Sequence, residues 1–366
     1  MKVLISAYLD NNIGDDLMIK LLAKRFPEFI FYLDTNKSTV INTFNQYENI
    51  ICHKFKKSND YLRQFQIYLS IGGSLFNNIN SFMGILLRVR RIIMLYRLKR
   101  NKIKLATIGC NLGPYKNKIG LLLTKIELQL NNLVTVRDSD SYEIIKKFKS
   151  VNNFHLASDI VFNYSEYIYI EKRNNTKCLG ISTYRSIQNC EFNYSSYIFL
   201  AAIADKFIER TGNTVCLFAF DSENENDLSS AHHIKGISKY PEKIKIVPYL
   251  GDHKSIIDSM SQCDRFITIR FHSAILCQML NIPFLPVVYS NKMHNYLNDE
   301  FYKGLRIPFS DMSVDKYNVD EIIKCIIENK EIFNDFSKEK SDAIKHFDNL
   351  NNLASTIKVH TNTGRI

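Results

Sequence analysis

The sequence predicts an α/β protein of two Rossmann-like domains whose parallel sheets face each other across a cleft. Three observations carry this. The chain has 366 residues, about two domains at ~150 residues each. Short apolar runs alternate with helix-like segments, the pattern of parallel sheets covered on both faces. The alternation stops at a polar, Asn- and Tyr-rich stretch, 163–176, and then restarts.

In order, residues 2–7 form an apolar strand, and 15–26 a helix with Leu17, Leu21 and Leu22 on one side. Further strands are expected at 29–33, 50–53, 66–71, 104–109 and 133–136, with helical segments between several of them. After the linker come a strand at 177–182, a helix at 194–210, and strands at 214–220 and 243–247. A helix at 252–263, a strand at 265–269, a helix at 272–280 and a strand at 284–289 follow. Beyond Val319 the pattern is helical. This gives an N-terminal domain over 1–165, a second over 176–335 and a helical segment over 336–366.

Composition excludes several classes. With 45% hydrophobic and 23% charged residues, the chain is neither disordered nor fibrous. The eight cysteines form no C-x-x-C pair and most lie in apolar runs, so buried free thiols in a reducing compartment are expected rather than a zinc ribbon. No 18-residue apolar run occurs, and the apolar start is too short for a signal peptide, so the expected setting is the cytoplasm.

The charge is uneven. Between Asp60 and Glu127 there are twelve Lys and Arg and no acid, which accounts for all of the +11 net charge. Eight of the twelve fall in 88–104, and Leu86, Val89, Ile93 and Tyr96 recur at helical spacing, so 84–104 reads as a basic amphipathic helix. Such a helix suits an anionic membrane surface or a phosphorylated ligand. The plainer reading is a packed helix whose Arg and Lys stems reach out to water. No nucleic-acid-binding motif accompanies the charge.

In open α/β sheets ligands sit beyond the carboxyl ends of the strands. The first strand runs into Asn11-Asn12-Ile13-Gly14-Asp15-Asp16, where two carboxylates would repel phosphate but suit sugar hydroxyls; capping of the next helix is the alternative for either acid. Gly72-Gly73-Ser74 allows close approach or a plain turn, and Asn111 stands at another strand end. Arg137 has Asp138 or Asp159 as structural partners. Past later strands lie Arg185, then Arg270, His272 and Ser273, then Lys292, residues able to converge on one crevice. Guanidinium forks suit planar anions, and imidazole suits proton transfer near neutral pH.

These residues, in this order, resemble the polysaccharide pyruvyltransferases. The resemblance runs from Asn12-Ile13-Gly14-Asp15 through Gly72-Gly73, Gly109…Gly113-Pro114, Val136-Arg137-Asp138…Ser141, Ala157-Ser158-Asp159 and Gly180…Arg185. It ends with Arg270-Phe271-His272-Ser273 and Pro283…Tyr289…Lys292. Ser74 stands where a third glycine is usual, and Phe271 where leucine is usual. The resemblance implies a GT-B-like fold and transfer of a pyruvyl group from phosphoenolpyruvate to two sugar hydroxyls as a ketal. The acceptor would be a cell-surface glycan or its lipid-linked precursor. It implies that Arg185, Arg270 and His272 stand at positions that hold the donor, and that the last helix crosses back to the first domain. From the residues themselves, Ser273 and Lys292 are expected to join the donor site, His272 with Arg270 to carry catalysis, and Asp15, Asp16, Gly73 and Asn111 to meet the acceptor. No metal or further cofactor is expected, and a lipid-linked acceptor would bring 84–104 to the inner face of the cell membrane. The rival readings are a nucleotide-sugar glycosyltransferase on the same architecture and a non-enzymatic binder of anionic surfaces.

Overall fold

The structure, a computed structural model, describes residues 1–55, 58–73, 75–76, 81–115, 117–167, 178–187, 190–300, 302–328 and 336–357. Ser74 and most of the expected linker, 168–176, lie outside the described residues. The chain divides into two compact units. One comprises Met1–Tyr8, Met18–Asn163 and Glu339–Ile366; the other comprises Leu9–Leu17 and Tyr164–Lys338.

The first half of the chain runs β1 (Lys2–Ser6), α1 (Ile13–Arg25), β2 (Ile30–Asp34), α2 (Ser38–Phe44), β3 (Ile50–His53), α3 (Asn59–Leu62) and β4 (Ile67–Ile71). It continues with α4 (Phe82–Arg100), β5 (Lys104–Cys110), α5 (Lys118–Leu130), β6 (Leu133–Val136), α6 (Ser139–Lys146) and β7 (Phe154–Leu156). Its seven strands form one parallel sheet in the order β3-β2-β1-β4-β5-β6-β7. Strands such as β4 are buried at every position, which is why they read as continuous apolar runs rather than as alternating ones. The short β7, half-buried and carrying a histidine, escaped sequence reading.

The second half runs β8 (Cys178–Ser182), α7 (Asn193–Thr211), β9 (Thr214–Ala219), α8 (Asp227–Ile237), β10 (Ile244–Pro248) and α9 (His253–Ser261). Then come β11 (Arg265–Thr268), α10 (Phe271–Met279), β12 (Phe284–Val288), α11 (Asn291–Asp299), β13 (Ile307–Pro308) and α12 (Val319–Glu328). These strands form a parallel six-stranded sheet in the order β10-β9-β8-β11-β12-β13. The chain closes with α13 (Ser337–Ala343) and α14 (Lys345–Ser355). Helix α14 packs on β5 and β6 of the first sheet, where His346 is fully buried.

Strand order reverses between β1 and β4 in one sheet and between β8 and β11 in the other. In folds of this kind such switch points are where ligands bind.

The basic helix differs from its expected form. Of the stripe Leu86, Val89, Ile93 and Tyr96, the last two are exposed, while Arg88, Leu95 and Leu98 face inward. The reason is a buried carboxylate. Glu127 of α5, fully buried, pairs with Arg88 at 2.6 Å and with Arg91 at 2.7 Å, and Arg91 also donates to Ser6, Tyr68 and Ser70. Among the described residues no helix is long and apolar enough to cross a membrane, and none of the eight cysteines is in a disulfide.

Candidate functional site

At the second unit's switch point, Ser182 ends β8 with its side chain turned toward the turn after β11. Its hydroxyl accepts from the backbone N–H of Ile269 at 2.6 Å and of Arg270 at 3.2 Å, and meets Ser273 Oγ at 3.1 Å. Ser273, fully buried, donates to the Arg270 carbonyl at 2.5 Å. Ser273, expected as a donor ligand, helps to hold this turn.

Arg270 is likewise engaged. It is only 6% exposed. Its Nε donates to Asp227 Oδ2 at 2.8 Å, its Nη2 pairs with Asp227 Oδ1, and its Nη1 pairs with Glu225. The guanidinium stacks over the Tyr184 ring at 4.6 Å. Asp227 is fully buried at the start of α8, and burial pushes its carboxyl up to about 6 although Arg270 opposes the shift. Arg270 thus differs from the open clamp expected of it: two carboxylates neutralise it. Those partners are unequal, because Asp227 is sealed while the Glu225 side chain is 30% exposed on the loop after β9.

His272, two residues on, is half-buried in the first turn of α10. Its neighbour comes from far away in sequence. A Cβ on Gly14 would fall 1.7 Å from His272 Nδ1, so only glycine lets the backbone lie against that imidazole. The segment is docked there by backbone bonds: Ile13 N donates to Phe220 O at 3.1 Å, and Asn12 bridges Asp221. Asn11 Nδ2 donates to Glu223 at 3.2 Å. The Asn-Ile-Gly-Asp loop, expected with the N-terminal domain, therefore belongs to the second unit and flanks His272. Asp16, expected at the acceptor, is buried and accepts from Tyr249 Oη at 2.7 Å, which makes it an anchor for this loop. Asp15 beside it stays half-buried.

Arg185 is exposed just past β8, and Lys292 is half-buried in the first turn of α11 after β12. Arg185, His272 and Lys292 thus follow three neighbouring strands at their carboxyl ends.

The first unit has its own strand-end cluster. Arg137 pairs with Asp159 and donates from Nε to Asn111 Oδ1 at 2.6 Å, while Asn111 Nδ2 donates to Asp138. Asp138 caps α6 through the N–H of Ser141 at 2.8 Å. Both ends of the Asn111 amide, expected near the acceptor, are engaged within this network. Gly73 is buried under this network: a Cβ there would fall 1.9 Å from Arg137 Nη2.

Sequence reasoning missed Gly14 against His272, and it missed Asp227 and Glu225 on Arg270. Neither pairing has a local signal, since each joins segments distant in the chain. It also missed a group of thiols, two of them buried and Cys216 half-buried. Cys178, Cys216 and Cys263, spaced unlike any metal motif, bring their sulfurs within 4.8 Å of one another.

Two parallel sheets, each with a switch point, make a GT-B-like fold, and solved structures agree. The UDP-GlcNAc 2-epimerase of Methanocaldococcus jannaschii, in complex with UDP-GlcNAc and UDP, superposes with a TM-score of 0.59 at 10% identity, covering 98% of this chain and 100% of that one. Anabaena Alr3699/HepE with UDP and glucose gives 0.58 at 11% identity over 98% and 100%. A glycosyltransferase from Rickettsia africae gives 0.57 at 10% over 99% of each chain. No curated protein sequence matches the chain. The family model for polysaccharide pyruvyl transferase matches residues 12–291, and the chain belongs to that family.

Proposed function

We propose that the protein moves a pyruvyl group from phosphoenolpyruvate onto two hydroxyls of a sugar, in a cell-surface glycan or its lipid-linked precursor, as a ketal. Family membership supports the reaction class. The observation that carries the site is His272, half-exposed at the switch point and pressed against Gly14.

In this reading Arg185 and Lys292 bind the donor's phosphate and carboxylate. Arg270 enters by exchange. Asp227 keeps one edge of the guanidinium permanently, while Glu225 occupies the edge that a donor carboxylate would take. Asp15 remains the acceptor-side candidate. His272 protonates the donor's methylene carbon, leaving an oxocarbenium-like centre at C2, or assists the leaving phosphate. One sugar hydroxyl adds to that centre and loses its proton to the imidazole. The C2–O bond to phosphate then breaks, and phosphate departs with the bond's electrons. The second hydroxyl closes the ketal, its proton leaving with the phosphate. The balance is one phosphoenolpyruvate and one diol to one ketal and one inorganic phosphate, with no redox step.

The test is phosphate release with an acceptor present, alongside mass spectrometry of the acceptor. His272→Ala is expected to lower turnover by ~10²–10⁴-fold. Arg185→Ala, at an exposed position, is expected to raise the donor KM with folding intact. Near wild-type turnover from His272→Ala overturns the assignment. Thermal-shift binding of nucleotide sugars in preference to phosphoenolpyruvate would favour the glycosyltransferase reading instead.

A further inference from the structure

Helices α4 and α5 pack side by side on the first sheet and are tied together by Glu127 with Arg88 and Arg91. Their inner faces are therefore accounted for. Their outer faces are unusual. Of fifteen exposed large hydrophobic side chains among the described residues, seven lie on these two helices: Phe82, Met83, Leu87, Ile93 and Tyr96 on α4, Ile119 and Leu122 on α5. Phe82 is 81% exposed. Scattered single exposures are ordinary in soluble proteins, but clustering of this kind marks an interaction surface.

The charge on the same face is one-sided. Arg90, Arg97, Lys99 and Arg100 are exposed on α4. The sole acid on either helix is Glu127, which is buried and already paired. At spacings of three and four, Phe82, Leu86, Arg90, Ile93, Arg97 and Arg100 follow one line along α4, so apolar and cationic groups share one side. An outer face of this kind is unlike the polar one of an ordinary packed helix and matches a helix that lies in a lipid interface, with apolar side chains among acyl chains and cations at the headgroups.

We infer that the outer face of α4, with α5 beside it, docks the protein on an anionic lipid bilayer. A second copy of the chain is a poorer occupant, because it would set two cationic faces against each other. An acidic soluble partner would match the cations but has no need of the exposed Phe, Met, Leu and Ile. The inference goes beyond the donor chemistry proposed above and stands without it. It adds that acceptor encounter takes place at a membrane surface.

The experiment is co-sedimentation of the full chain with vesicles of phosphatidylcholine alone and of equimolar phosphatidylcholine and phosphatidylglycerol. Binding is expected only to the second, and it should weaken at ~1 M salt, where the Debye length is about 3 Å. Two variants separate the terms, and both alter exposed positions only: Arg90→Ser/Arg97→Ser/Arg100→Ser, and Phe82→Ser/Leu87→Ser/Ile93→Ser. At about five-fold per cation, the first should bind roughly 100-fold more weakly. The second should lose binding to anionic vesicles by ~10-fold or more while its melting temperature is unchanged. Equal binding to both vesicle types overturns the inference, as does full binding by the apolar variant. Conversion of a dimer to monomer by the apolar variant, with no vesicle binding by the parent, would make the face a self-interface and overturn it too.

Discussion

Each unit buries an arginine just beyond a strand, yet the two arginines are held differently. In the first unit Arg137 meets Asp159 and Asn111, all under 10% exposed, beneath a glycine that fits no side chain. In the second, Arg270 shares itself between sealed Asp227 and partly exposed Glu225, and a half-exposed histidine follows two residues later. A guanidinium whose partners are all buried serves the fold. One with a replaceable partner can be shared with a substrate.

The difference predicts unequal costs. Asp159→Ala strands the Arg137 charge in the interior, and removing one member of such a buried pair typically costs about 3–5 kcal/mol. Glu225→Ala removes a partner that water can replace, so it should cost no more than about 1 kcal/mol. Denaturant melts of the two variants check this, and equal losses would erase the distinction between the clusters.

The first unit also carries a pH signature. His346 lies between Thr135 Oγ1 at 2.6 Å from Nδ1 and the Ser158 carbonyl at 2.8 Å from Nε2. Nε2 donates to the carbonyl, so Nδ1 accepts and the ring is neutral. Burial pushes its pKa down to about 4 from 6.5. The unfolded chain therefore binds a proton between those values that the folded chain refuses, and stability is lost as pH falls through that window. The full shift is worth about 3 kcal/mol. Urea midpoints from pH 7 to 4 should fall in the wild type and flatten in His346→Asn.

The same substitution in the two clusters should report two different losses. Gly73→Ala drives a methyl into the locked Arg137 fork, an overpacking that costs about 1–3 kcal/mol. Gly14→Ala drives one into His272, so turnover should fall by ~10²-fold, the scale of a misplaced catalytic group. Melting temperature and phosphate release, measured on both variants, tell the two apart. A Gly14→Ala enzyme with normal turnover would separate His272 from the chemistry.

Much of this was legible beforehand, and the limit has a physical form. The strands announced themselves because buried parallel strands are apolar throughout, and His272 and Arg185 announced themselves by standing where strands end. The pairing of Arg137 with Asp159 was one of two partners read from the sequence. What stayed hidden were contacts between segments remote in the chain. Nothing within the strand-end loop set Gly14 against a histidine, yet it serves close approach to His272. Asp16 and Asn111 looked like ligands for a sugar but are bound to Tyr249, and to Arg137 and Asp138. Ile93 and Tyr96 looked like a packing stripe, yet Glu127 on the next helix turns the arginines inward instead. Periodicity reports that a helix has two faces; it does not report which face its neighbour will charge.

The smallest predicted effect bears most directly on how the second cluster works. If Glu225 holds the place of a donor carboxylate on Arg270, donor and side chain compete, and removing the side chain's charge should tighten donor binding. A partly exposed pair is worth about 0.2–1 kcal/mol, so Glu225→Gln should lower the donor KM by about 1.5- to 5-fold. Turnover at saturating donor should be unchanged, since Asp227 still orients the guanidinium. A KM that rises instead would mean that Glu225 supports the site rather than guarding it, and Arg270 would then be as structural as Arg137.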